Sequence, residues 1–128
     1  MNYKQQAEQF AQKFGVKLSV ISTDYGKHFT DDTESRYIFT CRLQRGKKSY
    51  TFKFGQSRAA GAKEPEMYDI LSCLQKYDPE TFEFFCSNYG YDEDSRKAYK
   101  TYNAVCKEWA AVERLFSDCL EELQEINQ

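Results

Sequence analysis

The chain has 128 residues, with 18 Lys and Arg against 20 Asp and Glu for a formal charge of −2, a length that suits one domain with one core. No apolar run approaches the ~20 residues needed to span a bilayer, and the polar start Met1-Asn2-Tyr3-Lys4-Gln5-Gln6 lacks the pattern of a secretory signal peptide. The small net charge hides a division: residues 1 to 63 carry twelve cations against five acids, a net of +7, and residues 64 to 128 carry six against fifteen, a net of −9, which speaks to partners rather than to fold.

In chain order, Tyr3, Ala7, Phe10, Ala11 and Phe14 recur at helical spacing and predict a helix closed by Gly15. Val16 to Thr23 is β-branched and half alternating, which predicts a strand. Asp24 to Ser35 is polar and reads as a loop holding His28 on the surface. Tyr37, Phe39, Cys41 and Leu43 alternate on one face of a second strand, and Tyr50, Phe52 and Phe54 on one face of a third. A two-residue turn at Arg45-Gly46 pairs positions summing to 91, setting Cys41 opposite Tyr50 and Phe39 opposite Phe52. The other face, with Arg36, Ile38, Thr40, Arg42, Thr51 and Lys53, is expected to meet solvent. Gly55 to Lys63 reads as a mobile connector inside a single domain, dividing a helix-plus-sheet part (1–63) from a helical part (64–128).

The helical part opens with Pro65 in a first turn and a stripe of Met67, Ile70, Leu71 and Leu74. Asp78-Pro79-Glu80 is a second start signal, with Phe82, Phe85, Cys86 and Tyr89 expected to face inward and Gly90 to stop the helix. Asp92-Glu93-Asp94-Ser95 opens the longest helix, striped by Ala98, Tyr102, Val105, Trp109, Val112 and Phe116. Asp118 and Glu121 resemble a capping box for a last helix holding Leu123 and Ile126. The fold class is therefore α+β: an N-terminal helix, a three-stranded antiparallel sheet, and a C-terminal helical bundle over its aromatic face.

Chemistry-bearing patterns are few. His28 is the single histidine and has no nucleophile beside it in sequence. The five cysteines Cys41, Cys73, Cys86, Cys106 and Cys119 include no C-x-x-C pair, so reduced, buried thiols in a cytoplasmic protein are expected, with no metal, no cofactor and no enzymatic activity. Gly55-Gln-Ser-Arg-Ala-Ala-Gly61 lacks the Gly-Lys-Ser/Thr of a phosphate loop. Two charged surfaces remain. One is acidic, Asp92, Glu93, Asp94, Asp118, Glu121, Glu122 and Glu125, a row of negative charge that a nucleic-acid-binding cleft would accept in place of phosphates. The other is basic, Arg42, Arg45, Lys47, Lys48, Lys53, Arg58 and Lys63, and suits nucleic acid itself. Each has a plainer reading as an ordinary solvated surface.

Tyr68-Asp69-Ile70-Leu71-Ser72-Cys73-Leu74, Lys76-Tyr77-Asp78-Pro79-Glu80-Thr81-Phe82, Asn88-Tyr89-Gly90-Tyr91-Asp92 and Ser95-Arg96-Lys97-Ala98, running on to Trp109, resemble a family of small proteins carried by phages and mobile elements of bacteria. The likeness spans residues 48 to 126, contains no catalytic motif, and transfers no functional residue. By analogy with the company such proteins keep, it implies an anti-CRISPR-like inhibitor in the cytoplasm of the bacterial host. Its partner would be a CRISPR effector, which it would keep from binding nucleic acid. The alternative is a nucleic-acid-binding accessory protein using the basic hairpin and loop.

Overall fold

The computed structural model describes residues 2–56, 61–78 and 81–126. Helix α1 (Tyr3–Phe14) leads into strands β1 (Val16–His28), β2 (Asp31–Arg45) and β3 (Lys48–Gln56), which form an antiparallel meander in the order β1-β2-β3. Helices α2 (Met67–Leu74), α3 (Phe82–Tyr89), α4 (Arg96–Leu115) and α5 (Leu120–Glu125) follow, with a 3₁₀ turn at Gln75–Tyr77 after α2. This is the expected α+β architecture. Phe39, Cys41, Leu43, Phe52 and Phe54 from the sheet share one core with Phe10, Leu71, Val112, Phe116 and Leu123 from the helices. Among the described residues no helix is long and apolar enough to cross a membrane.

The helix ends follow sequence chemistry. Asn2 caps α1 by accepting from Gln5 N–H at 2.8 Å, and Gly15 closes it in a left-handed conformation at φ 67°. Pro65 is buried just ahead of α2 rather than in its first turn, because Glu66 is the N-cap and its N–H donates to Asp69 Oδ2. Helix α3 is capped by Thr81; Pro79 and Glu80 of the expected start signal lie outside the described residues. Ser95 caps α4, so Asp92, Glu93 and Asp94 precede the helix instead of forming its first turn. Cys119, not Asp118, is the N-cap residue of α5. The end of α5 is held by Gln75, whose Nε2 donates to the Leu123 and Ile126 carbonyls at 2.9 and 3.1 Å.

Two sheet expectations need correction. First, the β2–β3 pairs sum to 93, not 91: Cys41 faces Phe52, Phe39 faces Phe54, Leu43 faces Tyr50, and Arg45 faces Lys48 across a Gly46-Lys47 turn. A shift of two preserves which face each side chain takes, so the aromatic face is still the inner one. Second, Asp24 to Ser35 is not a loop. β1 runs to His28 and pairs with β2 throughout, with irregularities between Val20 and Ser22 and between Gly26 and His28. Those interruptions and the exposure of Ile21 to Tyr25 erase the alternation that would reveal a strand.

The far end of this hairpin curls onto β3, a strand that β1 does not pair with. His28 is buried (8% exposed), not a surface residue. Thr30 N–H lies 3.2 Å from its Nδ1, and Nε2 lies 2.9 Å from the Lys53 carbonyl. Because a backbone N–H only donates, Nδ1 is the acceptor, and Nε2 carries the proton and donates to Lys53. Ile38, expected in solvent, is buried too: Gly55 stands opposite it, and Arg36 and His28 close over that glycine. Gly46 sits at φ 58°, where a side chain strains the backbone. Gly46→Ala is expected to destabilise the fold by about 1–2 kcal/mol, read as a lower urea midpoint with an unchanged slope.

Candidate interaction surfaces

The two surfaces foreseen from sequence meet at one internal contact. Arg45, the last residue of β2, continues the inward side of the strand, below Leu43. Its guanidinium forks onto Asp118, Nη1 to Oδ1 at 2.7 Å and Nη2 to Oδ2 at 2.9 Å. Nε donates to the Phe14 carbonyl at 3.0 Å and Nη1 to the Leu115 carbonyl at 2.7 Å. These carbonyls end α1 and α4, where the helix dipole is negative and the last C=O groups lack partners. The guanidinium carbon also lies 5.8 Å from the ring centres of both Phe14 and Phe116. Arg45 is thus a structural clamp with a side chain only 16% exposed, while Asp118, its counter-charge, keeps 61% of its side chain exposed.

The remaining basic residues are dispersed. Arg42 and Lys53 are exposed on the uncovered face of the sheet, Lys47 and Lys48 at the β2–β3 tip, and Lys63 near Gln56 at the other end of β3, while Arg58 lies outside the described residues. The tip borders Asp118 and Ser117 across an open groove, so a carboxylate tempers its positive field.

The acids form two groups instead of one surface. Glu121, Glu122 and Glu125 are exposed on α5, with Lys13 of α1 across a shared groove from Glu122 and Glu125. Asp92, Glu93 and Asp94 are exposed in the α3–α4 turn, which is pinned by Asp94 N–H to Asp92 Oδ1 at 3.1 Å and Ser95 N–H to Asp92 O at 3.0 Å. The 20 residues of α4 separate the groups, a length of about 30 Å at ~1.5 Å per residue. Among the described residues no cation forms an ion pair with any of these six acids.

Sequence reasoning missed the aromatic corner beside Asp92. Tyr89, expected to face inward, is 55% exposed, and Tyr99 is 59% exposed. They are the outer ends of a run of rings: Tyr99 to Phe82 at 5.7 Å, Phe82 to Tyr102 at 5.4 Å, Tyr102 to Phe85 at 5.3 Å and Phe85 to Tyr89 at 4.9 Å. The signal for Tyr89 was its place as the last residue before Gly90, where a two-turn helix runs past the layer it covers.

Groups with catalytic potential are committed elsewhere. Both nitrogens of His28 hold the hairpin tip. Burial pushes the Cys41 and Cys119 thiols up to about 11, so they remain protonated and are poor nucleophiles. Among the described residues no three His, Cys, Asp or Glu side chains converge as a metal site requires. No family model matches the chain, nor does any curated protein or any solved structure.

The clamp predicts a stability phenotype. Arg45→Ala is expected to cost about 2–3 kcal/mol, because it strips the partners from two helix-end carbonyls. Arg45→Lys should recover little, since an ammonium cannot reproduce the fork. The Arg45 hydrogen bonds hold the Asp118 carboxyl well below the usual carboxylate range. Its stabilisation is therefore complete above about pH 4 and is lost as pH falls towards that lowered value. Urea titrations should find Asp118→Asn less stable than wild type at neutral pH, with the gap narrowing as the medium is acidified below pH 4.

Proposed function

We propose that this protein is a non-enzymatic, anti-CRISPR-like inhibitor of phage or mobile-element type that acts in the cytoplasm of a bacterial host. It docks on the Lys/Arg-rich surface of a CRISPR effector and keeps nucleic acid away from it. The observation that carries this reading is the α3–α4 corner, where exposed Tyr89 and Tyr99 adjoin the exposed acids Asp92, Glu93 and Asp94. Tyrosine anchors beside three clustered carboxylates suit a protein partner that presents cations to them, because the rings supply contact area at small entropic cost and the carboxylates steer encounter. The acids of α5 form a second contact region, about 30 Å away along α4. The commitment of His28 to the hairpin tip, and of the buried thiols to the core, supports a binding role over a catalytic one.

The nucleic-acid-binding alternative draws on the exposed Arg42 and Lys53 of the open sheet face and on Lys47 and Lys48. It is weakened by the loss of Arg45 to the clamp.

Pull-down against a panel of purified effector–guide complexes is expected to capture at least one of them. In that complex Tyr99→Ala, or Lys in place of Asp92, Glu93 and Asp94 together, should weaken affinity by about 30-fold or more, the scale of an interface hot spot. Capture of no effector, together with a low-salt mobility shift of DNA or RNA that disappears on Lys47→Glu and Lys48→Glu, would reject the inhibitor reading for the alternative.

A further inference from the structure

β1 is a 13-residue strand at the edge of the sheet, and among the described residues no strand pairs with its outer side. A long edge of this kind presents a row of N–H and C=O groups to any strand that can fit against it. Ile21 and Tyr25, both large and apolar, are exposed along it. The edge shares no residue with the α3–α4 corner, and the inference does not rest on the inhibitor reading.

The stretch from Lys17 to Asp24 is symmetric about its midpoint, the bond between Val20 and Ile21. Reading outward in both directions, Val20 matches Ile21, Ser19 matches Ser22, Leu18 matches Thr23, and Lys17 meets its opposite charge in Asp24. An antiparallel copy of the same strand, in the register that sets Val20 against Ile21, therefore places apolar against apolar and serine against serine. At both ends it places a cation against an anion. Cross-strand pairs of these kinds are the ones that stabilise a sheet.

The geometry of β1 permits that register. A two-fold axis normal to the sheet keeps every residue on its own face, so residues that meet across it must share a face. In a regular strand Lys17 and Asp24 would point to opposite faces. The irregularity between Val20 and Ser22 removes the conflict: Ile21 has no partner on β2, and the alternation is reset there. Lys17 then stands opposite Gln44 and Asp24 opposite Ile38, both on the side away from the helices. Leu18 stands opposite Leu43 and Thr23 opposite Phe39, both on the helical side. Charges and bulges ordinarily protect an edge, but this bulge puts the two charges where a second copy would pair them. The helical layer also stops near the midpoint, since it packs on Val16, Leu18 and Val20 and leaves Thr23 and Tyr25 exposed. Across the axis, the uncovered half of each strand falls beside the covered half of the other.

We propose that β1 pairs antiparallel with β1 of a second copy of this chain, about a two-fold axis between Val20 and Ile21. Lys17 of each copy faces Asp24 of the other, and the two sheets become one.

The test is sedimentation equilibrium of the full-length protein, from micromolar to near-millimolar concentration, at low salt where exposed charges are least screened. A monomer–dimer equilibrium is expected, with hydrogen exchange of the amides from Lys17 to Asp24 slowing as concentration rises. Lys17→Glu and Asp24→Lys should each weaken the dimer by about tenfold or more, because the axis makes either change act twice. Mixed in equal amounts, the two variants should associate again, since every facing pair then has opposite signs. The double variant K17E/D24K should dimerise for the same reason. Both positions are exposed, so these variants keep the fold, which far-UV circular dichroism checks. A monomer at every concentration would overturn the proposal and leave the edge to a strand of another protein. A dimer that neither substitution weakens, or one that the mixture does not restore, would overturn it too by placing the contact elsewhere.

Discussion

The guanidinium of Arg45 is the point on which three parts of this fold depend. α1 and α4 both end against it, β2 supplies it, and Asp118 at the entry to α5 is its counter-charge. Helix ends are costly to bury because their last carbonyls have no intrahelical partner. One planar donor with five N–H bonds serves two such ends and a carboxylate together, which an ammonium cannot do. Flanking Phe14 and Phe116 shield the guanidinium side of the contact, each ring centre 5.8 Å from its carbon. The consequence for function is subtractive, since the contact neutralises one member of each charged surface that the sequence displays.

How much of this was legible follows from parity. The inward set Tyr37, Phe39, Cys41 and Leu43 was readable because strand side chains alternate, and a register error of two leaves alternation intact. Arg45 continues the same odd-numbered set and so belongs on the inner face. Reading Arg45-Gly46 as the turn obscured this by taking the residue out of the strand. Gly46 occupies the first central position of the real turn, and the clamp explains why: Arg45 must be the last strand residue to reach the helix ends. The curled hairpin was not legible at all. Its irregularities break the period, its exposed stretch from Ile21 to Tyr25 buries nothing, and pairing with β2 rather than side-chain burial keeps it extended. His28 looked like a loop residue for the same reason, since the contacts that bury it are to Lys53 and Gly55, remote in sequence.

Charge segregation along the chain also proved coarser than charge segregation in space. The acidic half contains α4, whose first two turns carry Arg96, Lys97 and Lys100 beside a groove shared with Phe29 of the hairpin tip. Cations at a helix N-terminus oppose the dipole, and here they directly follow Asp92, Glu93 and Asp94. Neighbouring charges of both signs favour recognition by fixed geometry over a broad imitation of nucleic acid. That moves the weight of the inhibitor reading from the row of acids on α5 to a corner where acids stand beside rings.

The corner follows from the short length of α3. Eight residues make about two turns, enough to bury one row, and Phe85 and Cys86 take it. Tyr89 then falls past the edge, and Tyr99 on α4 meets Phe82 edge-on at the opposite end of α3. Each ring offers roughly 150–250 Å² of surface when enclosed, so covering both is worth more than one exposed residue would suggest. Among the described residues no further helix covers them. Under the inhibitor reading that missing layer is the effector, and the three carboxylates beside the rings require it to present cations.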